Sequence, residues 1–381
     1  MELQNDMIDR VLLFPYYLTL KLRDRYYRRR ESRLYTPDVP SVCVGNITVG
    51  GTGKTPHVEM ILRMLHESPE WRDRNLAVLS RGYKRESKGF QQVVPEGSAT
   101  MFGDEPLQIK KKFLYVTVAV DRNRIEACEV LTSPGKLSEK KFAKCWNKVL
   151  PKADYIVLDD AFQYRRLKPS LNVVLVDSNR PISTDRLLPL GRLRDLKERI
   201  ADADVVIVTK CSRDIEDEEK CAFASSLGVG GYNVETCCGV SATGRSQMLL
   251  FTYISYCRPV GVYPETDARY IYAKKAVLVS GIAADTPLRR YVSDFAKIVK
   301  RFSFPDHHKY EWKDINKLCA ALRKHSTAAI ITTEKDVQRL MDYNGMPAEI
   351  KERLLAVPIE ARFVSEHEEA LFRQRICSLT R

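Results

Sequence analysis

The residues at 41–56, SVCVGNITVGGTGKTP, could do phosphate chemistry. A short apolar run is followed by Gly50, Gly51, Thr52 and Gly53, then by Lys54, Thr55 and Pro56. A glycine-rich turn lets backbone N–H groups wrap a phosphate chain, because no side chain stands in the way. The helix that follows adds partial positive charge at its N-terminus. In such a loop the lysine reaches the β- and γ-phosphates, and the hydroxyl of Thr55 sits on Mg²⁺. The strict pattern G-x-x-x-x-G-K-[ST] has Thr48 at its first glycine. A run of Val58, Ile61, Leu62 and Leu65 at helical spacing supplies the expected helix, with Pro56 in its first turn.

A second signal is YIVLDD at 155–160, an apolar run ending in Asp159 and Asp160. A carboxylate at a strand end orders Mg²⁺ in P-loop proteins. Two side by side need a cation between them. Three further stretches, GDEP from Gly103, LLPLGRLRD from Leu187 and FPDHH from Phe304, read as polar loops. A histidine beside Asp306 could be a base, a metal ligand or part of a capped turn, and spacing alone favours the turn.

These residues need a scaffold. Apolar runs at 41–44, 76–79, 115–120, 155–160, 173–176, 205–208, 276–279 and 328–331 read as buried parallel strands separated by helices and loops. The expected fold is α/β: a P-loop NTPase-like, mostly parallel sheet, plus a second, smaller α/β lobe joined by a short-stranded linker. Ligands in such sheets bind at the carboxyl ends of the strands. There the sequence places 81–85 (RGYKR), Asp121-Arg122, Asp159-Asp160 and Thr209-Lys210. The tyrosine- and proline-bearing stretch 239–270 breaks the rhythm. The domains expected are an N-terminal surface helix at 1–35, a P-loop domain at 36–238, linker strands at 239–270 and a C-terminal lobe at 271–381.

With 381 residues, 44% hydrophobic and 29% charged, the chain is a globular protein of two or three domains. No apolar run approaches the roughly 20 residues of a spanning helix. The ten cysteines include no C-x-x-C pair, and core thiols in a reducing compartment are the simpler reading. The net charge of +13 calls for an anionic partner without choosing one.

The N-terminus narrows that choice. VLLFPYYLTL at 11–20 is too short to span a bilayer, and Glu2, Asp6 and Asp9 before it do not suit a signal peptide. Seven Lys/Arg against two acidic residues follow between Lys21 and Arg33. Three readings stay open: an interfacial anchor on an anionic leaflet, a helix packed on the protein's own core, or aromatic–basic contact with single-stranded nucleic acid. No nucleic-acid module motif accompanies the last.

Taken in order, GNITVGGTGKTP, SRGYKR, GDEP, LDDAFQYRRL, RLLPLGRLRD, VTK, FPDHH and TTEKD resemble the tetraacyldisaccharide 4′-kinase (lipid A 4′-kinase) family, over about residues 10–340. The resemblance implies two α/β lobes with a two-stranded linker. It also implies transfer of the γ-phosphate of ATP, with Mg²⁺, to the 4′-hydroxyl of a tetraacyldisaccharide 1-phosphate, giving the lipid A precursor lipid IVA. The implied location is peripheral, on the cytoplasmic face of the inner membrane, through residues 8–33. No nucleic acid is expected and no protein partner is inferable.

The family's roles carry over to Lys54 and Thr55 in the loop, Asp159 and Asp160 near Mg²⁺, Asp104 as general base, His307 as its partner, and Arg194 near the transferred phosphate. Asp104 lies in the first lobe and His307 in the second, so the dyad is expected to form on lobe closure.

Three departures stand out. The family's DDGFQH reads DDAFQY here, placing Ala161 and Tyr164 in that motif. Its Arg-Glu becomes Arg194-Asp195, and 132–150 reads as a surface insertion. The alternative is a P-loop ATPase of assembly or delivery type. A GTPase would need Asn-Lys-x-Asp, which neither 209–212 (TKCS) nor 333–336 (TEKD) supplies.

Overall fold

The computed structural model describes residues 2–282 and 284–380, with side chains from residue 13 onward. The side chains of Glu2, Asp6 and Asp9, and those at the start of the 8–33 segment, lie outside the described residues. The first part of the chain runs α1 (Glu2–Arg28), β1 (Ser41–Gly45), α2 (Lys54–Glu67), β2 (Leu76–Ser80), β3 (Gln91–Gln92), α3 (Ala99–Phe102), α4 (Asp104–Lys112), β4 (Thr117–Val120) and α5 (Arg124–Thr132). Next come β5 (Tyr155–Asp159), β6 (Leu171–Asp177), β7 (Val205–Thr209), α6 (Asp217–Ser226), β8 (Gly230–Asn233), β9 (Cys238–Val240) and β10 (Ser246–Tyr256). The rest is β11 (Val260–Gly261), β12 (Lys275–Ser280), α7 (Thr286–Ser293), β13 (Lys297–Ser303), α8 (Trp312–Lys324), β14 (Ala328–Thr333), α9 (Glu334–Met341), α10 (Ala348–Lys351), β15 (Leu354–Val357), β16 (Ile359–Phe363) and α11 (Glu366–Cys377).

The large sheet has the order β3-β4-β2-β5-β1-β6-β7-β10-β9-β8, with β16 also paired to β10. From β4 through β10 neighbouring strands are parallel. Every residue of β1, β2, β4, β5 and β7 is buried, which is why these strands read as unbroken apolar runs. Val42 and Val44 face one core with α2, α4 and α11; Cys43 faces the other with α5. Each fully buried Val, Leu or Ile contributes about 1.5–3 kcal/mol. The order puts β1 between β5 and β6, so the turn after β1 and the carboxylates ending β5 share one edge.

The second sheet, β11-β15-β14-β12-β13, carries its own cores on both faces. Two expectations need adjusting. The linker is not made only of short strands, because β10 is eleven residues long and its first half completes the large sheet beside β7. Its run of Leu249, Leu250 and Phe251 is buried there. The C-terminal lobe also ends before 381. β16 leaves the second lobe and pairs antiparallel with the second half of β10, from Thr252↔Phe363 to Tyr256↔Ile359. α11 then packs on the large sheet, with Phe372 and Ile376 in its core. The stretch 132–150 is not purely superficial either: Leu137, Phe142, Cys145 and Leu150 are buried under the α5 face.

Candidate active site

Local geometry shapes the turn after β1. A Cβ on Gly45 would lie 2.4 Å from Cβ of Phe162, so the strand end can approach the turn after Asp160 only as glycine. Gly53 caps α2 at φ +86, in the left-handed region that favours glycine. Asn46 donates to Oγ1 of Thr52 at 2.8 Å, and Thr209 donates to the Thr52 carbonyl at 3.0 Å. Thr52 is therefore a buried strut. The ammonium of Lys54 lies 3.5 Å from Oδ1 of Asn46 and 3.7 Å from Oδ1 of Asp160.

His57, one turn into α2, is fully buried between the Gly53 carbonyl at 2.7 Å and Oγ1 of Thr252 at 2.9 Å. A carbonyl can only accept, so Nδ1 carries the proton and Nε2 accepts from the threonine. Burial pushes the imidazole pKa down to about 4.

Asp159 ends β5 and is 1% exposed. Its Oδ2 accepts from Ser80 at 2.9 Å, while its buried Oδ1 has no hydrogen-bond partner among the described residues. Burial, with Glu105 and Asp160 nearby, pushes its pKa up to about 7. Asp160 turns the backbone at φ +51. Burial would raise its pKa, but Lys54 and Arg194 hold it below the ordinary carboxylate value. Arg194 reaches it at 3.2 Å and also bonds the Asn46 carbonyl at 3.3 Å. An orphaned buried carboxylate oxygen beside a second carboxylate is a hard-oxygen donor pair, which fits Mg²⁺.

The second lobe closes over the site. Asp104 opens α4, and its Oδ2 accepts Nδ1–H of His307 at 3.1 Å. The same oxygen accepts Nη2–H and Nε–H of Arg339, from α9, at 2.7 and 3.0 Å. Burial would raise the Asp104 pKa, yet His307, Lys335 and Arg339 keep it well below the usual carboxylate range. Lys335 pairs with Glu105 beside it. Lys112 of α4 spans Glu59 of α2 at 2.6 Å and Glu334 of α9 at 3.1 Å.

The structure thus gathers Lys54, Asp159, Asp160 and Arg194 around one turn, and joins Asp104 to His307 across the lobes. The sequence profile of the tetraacyldisaccharide-1-P 4'-kinases matches residues 8–377. The chain belongs to the tetraacyldisaccharide-1-P 4'-kinase family. It is similar to the tetraacyldisaccharide 4'-kinase of Phocaeicola vulgatus, 36% identical over 350 residues, covering 90% of this chain and 87% of the relative. The one from Parabacteroides distasonis is 36% identical over 364 residues, covering 93% and 90%. A solved structure, the "apo" form of LpxK from Aquifex aeolicus in complex with ATP, has the same fold with a TM-score of 0.65 at 23% identity, covering 96% of this chain and 99% of that one.

Within this 4'-kinase family, the departures find local explanations. Ala161 is not among the positive-φ residues; Asp160 takes that conformation instead. Tyr164 donates to Oδ1 of Asn123 at 3.1 Å. Asp195 is buried and accepts from Arg165 at 2.9 Å, a contact that braces the loop.

Sequence reading missed Arg339 and Asp336, although TTEKD contains the latter and helical spacing puts the former one turn on. It also missed Arg180 and Arg192. A Cβ on Gly50 would lie 3.6 Å from Nη1 of Arg180 and 3.9 Å from Nη1 of Arg192, so both guanidiniums flank the glycine turn.

α1 lies along the first lobe. Tyr16 donates to the Arg194 carbonyl at 3.2 Å, Arg23 to the Gln163 carbonyl at 2.5 Å, and Asp24 accepts from Arg165 at 2.8 Å. Phe14, Leu18, Leu22 and Tyr26, spaced by four, form an exposed stripe on the same helix. Phe14 and Leu22 are 58% and 59% exposed. Among the described residues no helix is long and apolar enough to cross a membrane.

Proposed function

We propose that this protein is an ATP-dependent kinase that phosphorylates the 4′-hydroxyl of a tetraacyldisaccharide 1-phosphate, in lipid A synthesis. Family membership supports the activity. The observation that carries the site assignment is the convergence of Lys54 and Arg194 on Asp160, with Asp104 and His307 joined across the lobes.

Phosphoryl transfer has a loose transition state, so positioning and charge neutralisation do most of the work. Gly50, Gly51, Thr52 and Gly53 supply the turn whose backbone N–H groups take the phosphates of ATP, and Lys54 neutralises their charge. Thr55, Asp159 and Asp160 would hold Mg²⁺, which supplies positive charge to the phosphate oxygens. Arg194 lies between Asn46 and Asp160, where charge develops on the transferred group. Asp104 takes the acceptor proton. Its low pKa suits a late transfer, when the hydroxyl oxygen already bonds phosphorus and has become strongly acidic.

The exposed stripe of α1, flanked by arginines, supports peripheral docking on an anionic membrane surface, where the lipid acceptor resides.

The deciding experiment follows label from the γ-position of ATP onto detergent-dispersed tetraacyldisaccharide 1-phosphate, for the wild type and Asp104→Ala. Labelled lipid that disappears in the variant is the expected result. Phosphate released to water with none on lipid would favour the ATPase alternative.

A further inference from the structure

Arg339 is 7% exposed and held on every side. Its Nη1 donates to the Gly281 carbonyl at 2.9 Å and to Oδ1 of Asp336 at 3.1 Å. Asp336 is fully buried and is itself fixed by Thr333 at 2.7 Å, by Tyr310 at 3.0 Å and by the Gly281 N–H at 3.0 Å. This frame aims the remaining edge of the guanidinium, Nε and Nη2, at Asp104. Both donors land on one oxygen, Oδ2, which also takes the imidazole of His307.

A carboxylate oxygen has two lone pairs in its plane, so three donors fill Oδ2. Oδ1 is in a different situation. The bond it accepts from the protein is the Glu105 backbone N–H at 3.0 Å, which leaves room for one more donor. The two oxygens of one carboxylate are thereby divided between lobe contact and chemistry.

We propose that Arg339 is a positioning residue for phosphoryl transfer: with His307 it fills Oδ2 of Asp104, presenting the ionised Oδ1 to the acceptor hydroxyl. This rests on the reading of Asp104 as the proton acceptor. In the step, the acceptor oxygen bonds the γ-phosphorus. The bond from that phosphorus to the β–γ bridging oxygen breaks, with its electron pair leaving on ADP. The acceptor proton passes to Oδ1. Arg339 touches no atom that reacts. It acts through Asp104, and its planar fork is the part a lysine cannot reproduce.

Among the described residues, the charged and titratable groups facing Asp104 are few. Besides His307 and Arg339 they are Lys335, with its partner Glu105, and Asp306, whose carboxylate is 3.6 Å from Nε2 of His307 and 3.9 Å from Arg339. Tyr83 stacks at a tilt on His307, 5.4 Å between centroids. Removing the Arg339 charge leaves a buried carboxylate with fewer cations, so its proton affinity rises.

The test compares full-length wild type, Arg339→Gln and Arg339→Lys by label transfer to detergent-dispersed tetraacyldisaccharide 1-phosphate across pH 5–9. The ratio of each variant's kcat/KM to the wild type's cancels the titration of ATP itself. For Arg339→Gln the ratio is expected to fall as pH falls, by tenfold or more across the range, with KM for ATP unchanged. For Arg339→Lys it is expected to be low but nearly flat, because charge is kept and the fork is lost. A ratio for Arg339→Gln that is reduced equally at every pH would overturn the proposal and leave Arg339 a lobe contact only. If Arg339→Gln does not fold, Arg339→Lys decides, and a wild-type kcat there overturns it. Asp104→Asn with wild-type kcat would instead sink the reading of Asp104 on which the proposal rests.

Discussion

Asp342, immediately after α9, accepts the backbone N–H groups of Ala99 and Thr100 at 3.0 and 2.9 Å, together with the Thr100 hydroxyl at 3.1 Å. A carboxylate of the second lobe thus satisfies the N-terminal donors of a helix in the first. That helix, α3, is only four residues long and leads through Gly103 into Asp104. Removing a side chain that satisfies helix N-terminal donors costs about 0.5–2 kcal/mol. Asp342→Ala is expected to lower the thermal unfolding midpoint by a few degrees and to reduce kcat, with KM for ATP little changed. Calorimetry and label transfer on one preparation check this; an unchanged midpoint would mean the contact is not formed in solution.

Lys54 and Asp160 are expected to act as one unit. Lys54→Met and Asp160→Asn should each lower kcat by on the order of 10²–10³, the scale of losing one charge-stabilising group. The double variant should lose far less than the product of the two, because each single change already disables the other residue. Full multiplicativity in the double variant would separate their roles.

His307→Gln keeps a donor near Asp104 but loses the imidazole. It should lower kcat more than it weakens ATP binding, since His307 contacts Asp104 and not the glycine turn. Equal effects on kcat and on ATP affinity, the latter measured by titration calorimetry, would remove His307 from the transfer step.

His57 gives a pH dependence of stability. Its folded pKa of about 4 lies below the unfolded value of 6.5. Between those values the unfolded chain binds more protons than the folded one, so stability falls as pH falls from 6.5 toward 4. The contribution is fully present above 6.5. The slope from this residue is on the order of 1.4 kcal/mol per pH unit inside the window. Urea midpoints measured from pH 4.5 to 7.5 should show a shallower slope in His57→Gln than in wild type. Identical slopes would mean that the imidazole is not buried neutral.

The stripe on α1 predicts a membrane readout that leaves the fold alone. Leu18→Glu with Leu22→Glu changes two exposed side chains, so the thermal midpoint should hold. Binding to phosphatidylglycerol-containing vesicles should fall at least tenfold, as expected when up to about 1.5–3 kcal/mol per side chain is lost. Raising the salt should weaken the wild type as well. Wild-type vesicle binding by the double variant would rule out the stripe as the contact.

The parts of this structure legible in the sequence are those where neighbours along the chain do the work. The glycine turn, the helix after it and the strand ending in Asp159 all follow from local pattern, because β1, β5 and α2 are buried enough to carry unbroken or periodic apolar residues. Arg339 was not legible, because its partner Asp104 is 235 positions away and nothing in α9 distinguishes it from a solvated arginine. Arg180 and Arg192 were hidden for the same reason. The return of β16 was missed because IEARF has no special composition. Only its pairing with β10 identifies it as part of the large sheet.

That return has a consequence for how the molecule is made. Tyr256 and Ile359 are register partners, so the chain leaves for the second lobe and comes back at a single point. The face of the large sheet around α2 is then finished by β16 and α11: Trp71 donates to the Cys377 carbonyl at 2.9 Å and Tyr155 to that of Ile376 at 3.1 Å. During synthesis from the N-terminus, the apolar side of α2 must wait for the whole of the second lobe to emerge before it is covered. A ribosome-bound chain stopped before residue 359 would hold every candidate catalytic residue yet expose that side to chaperones, and α11 acts as the latch on two lobes already built.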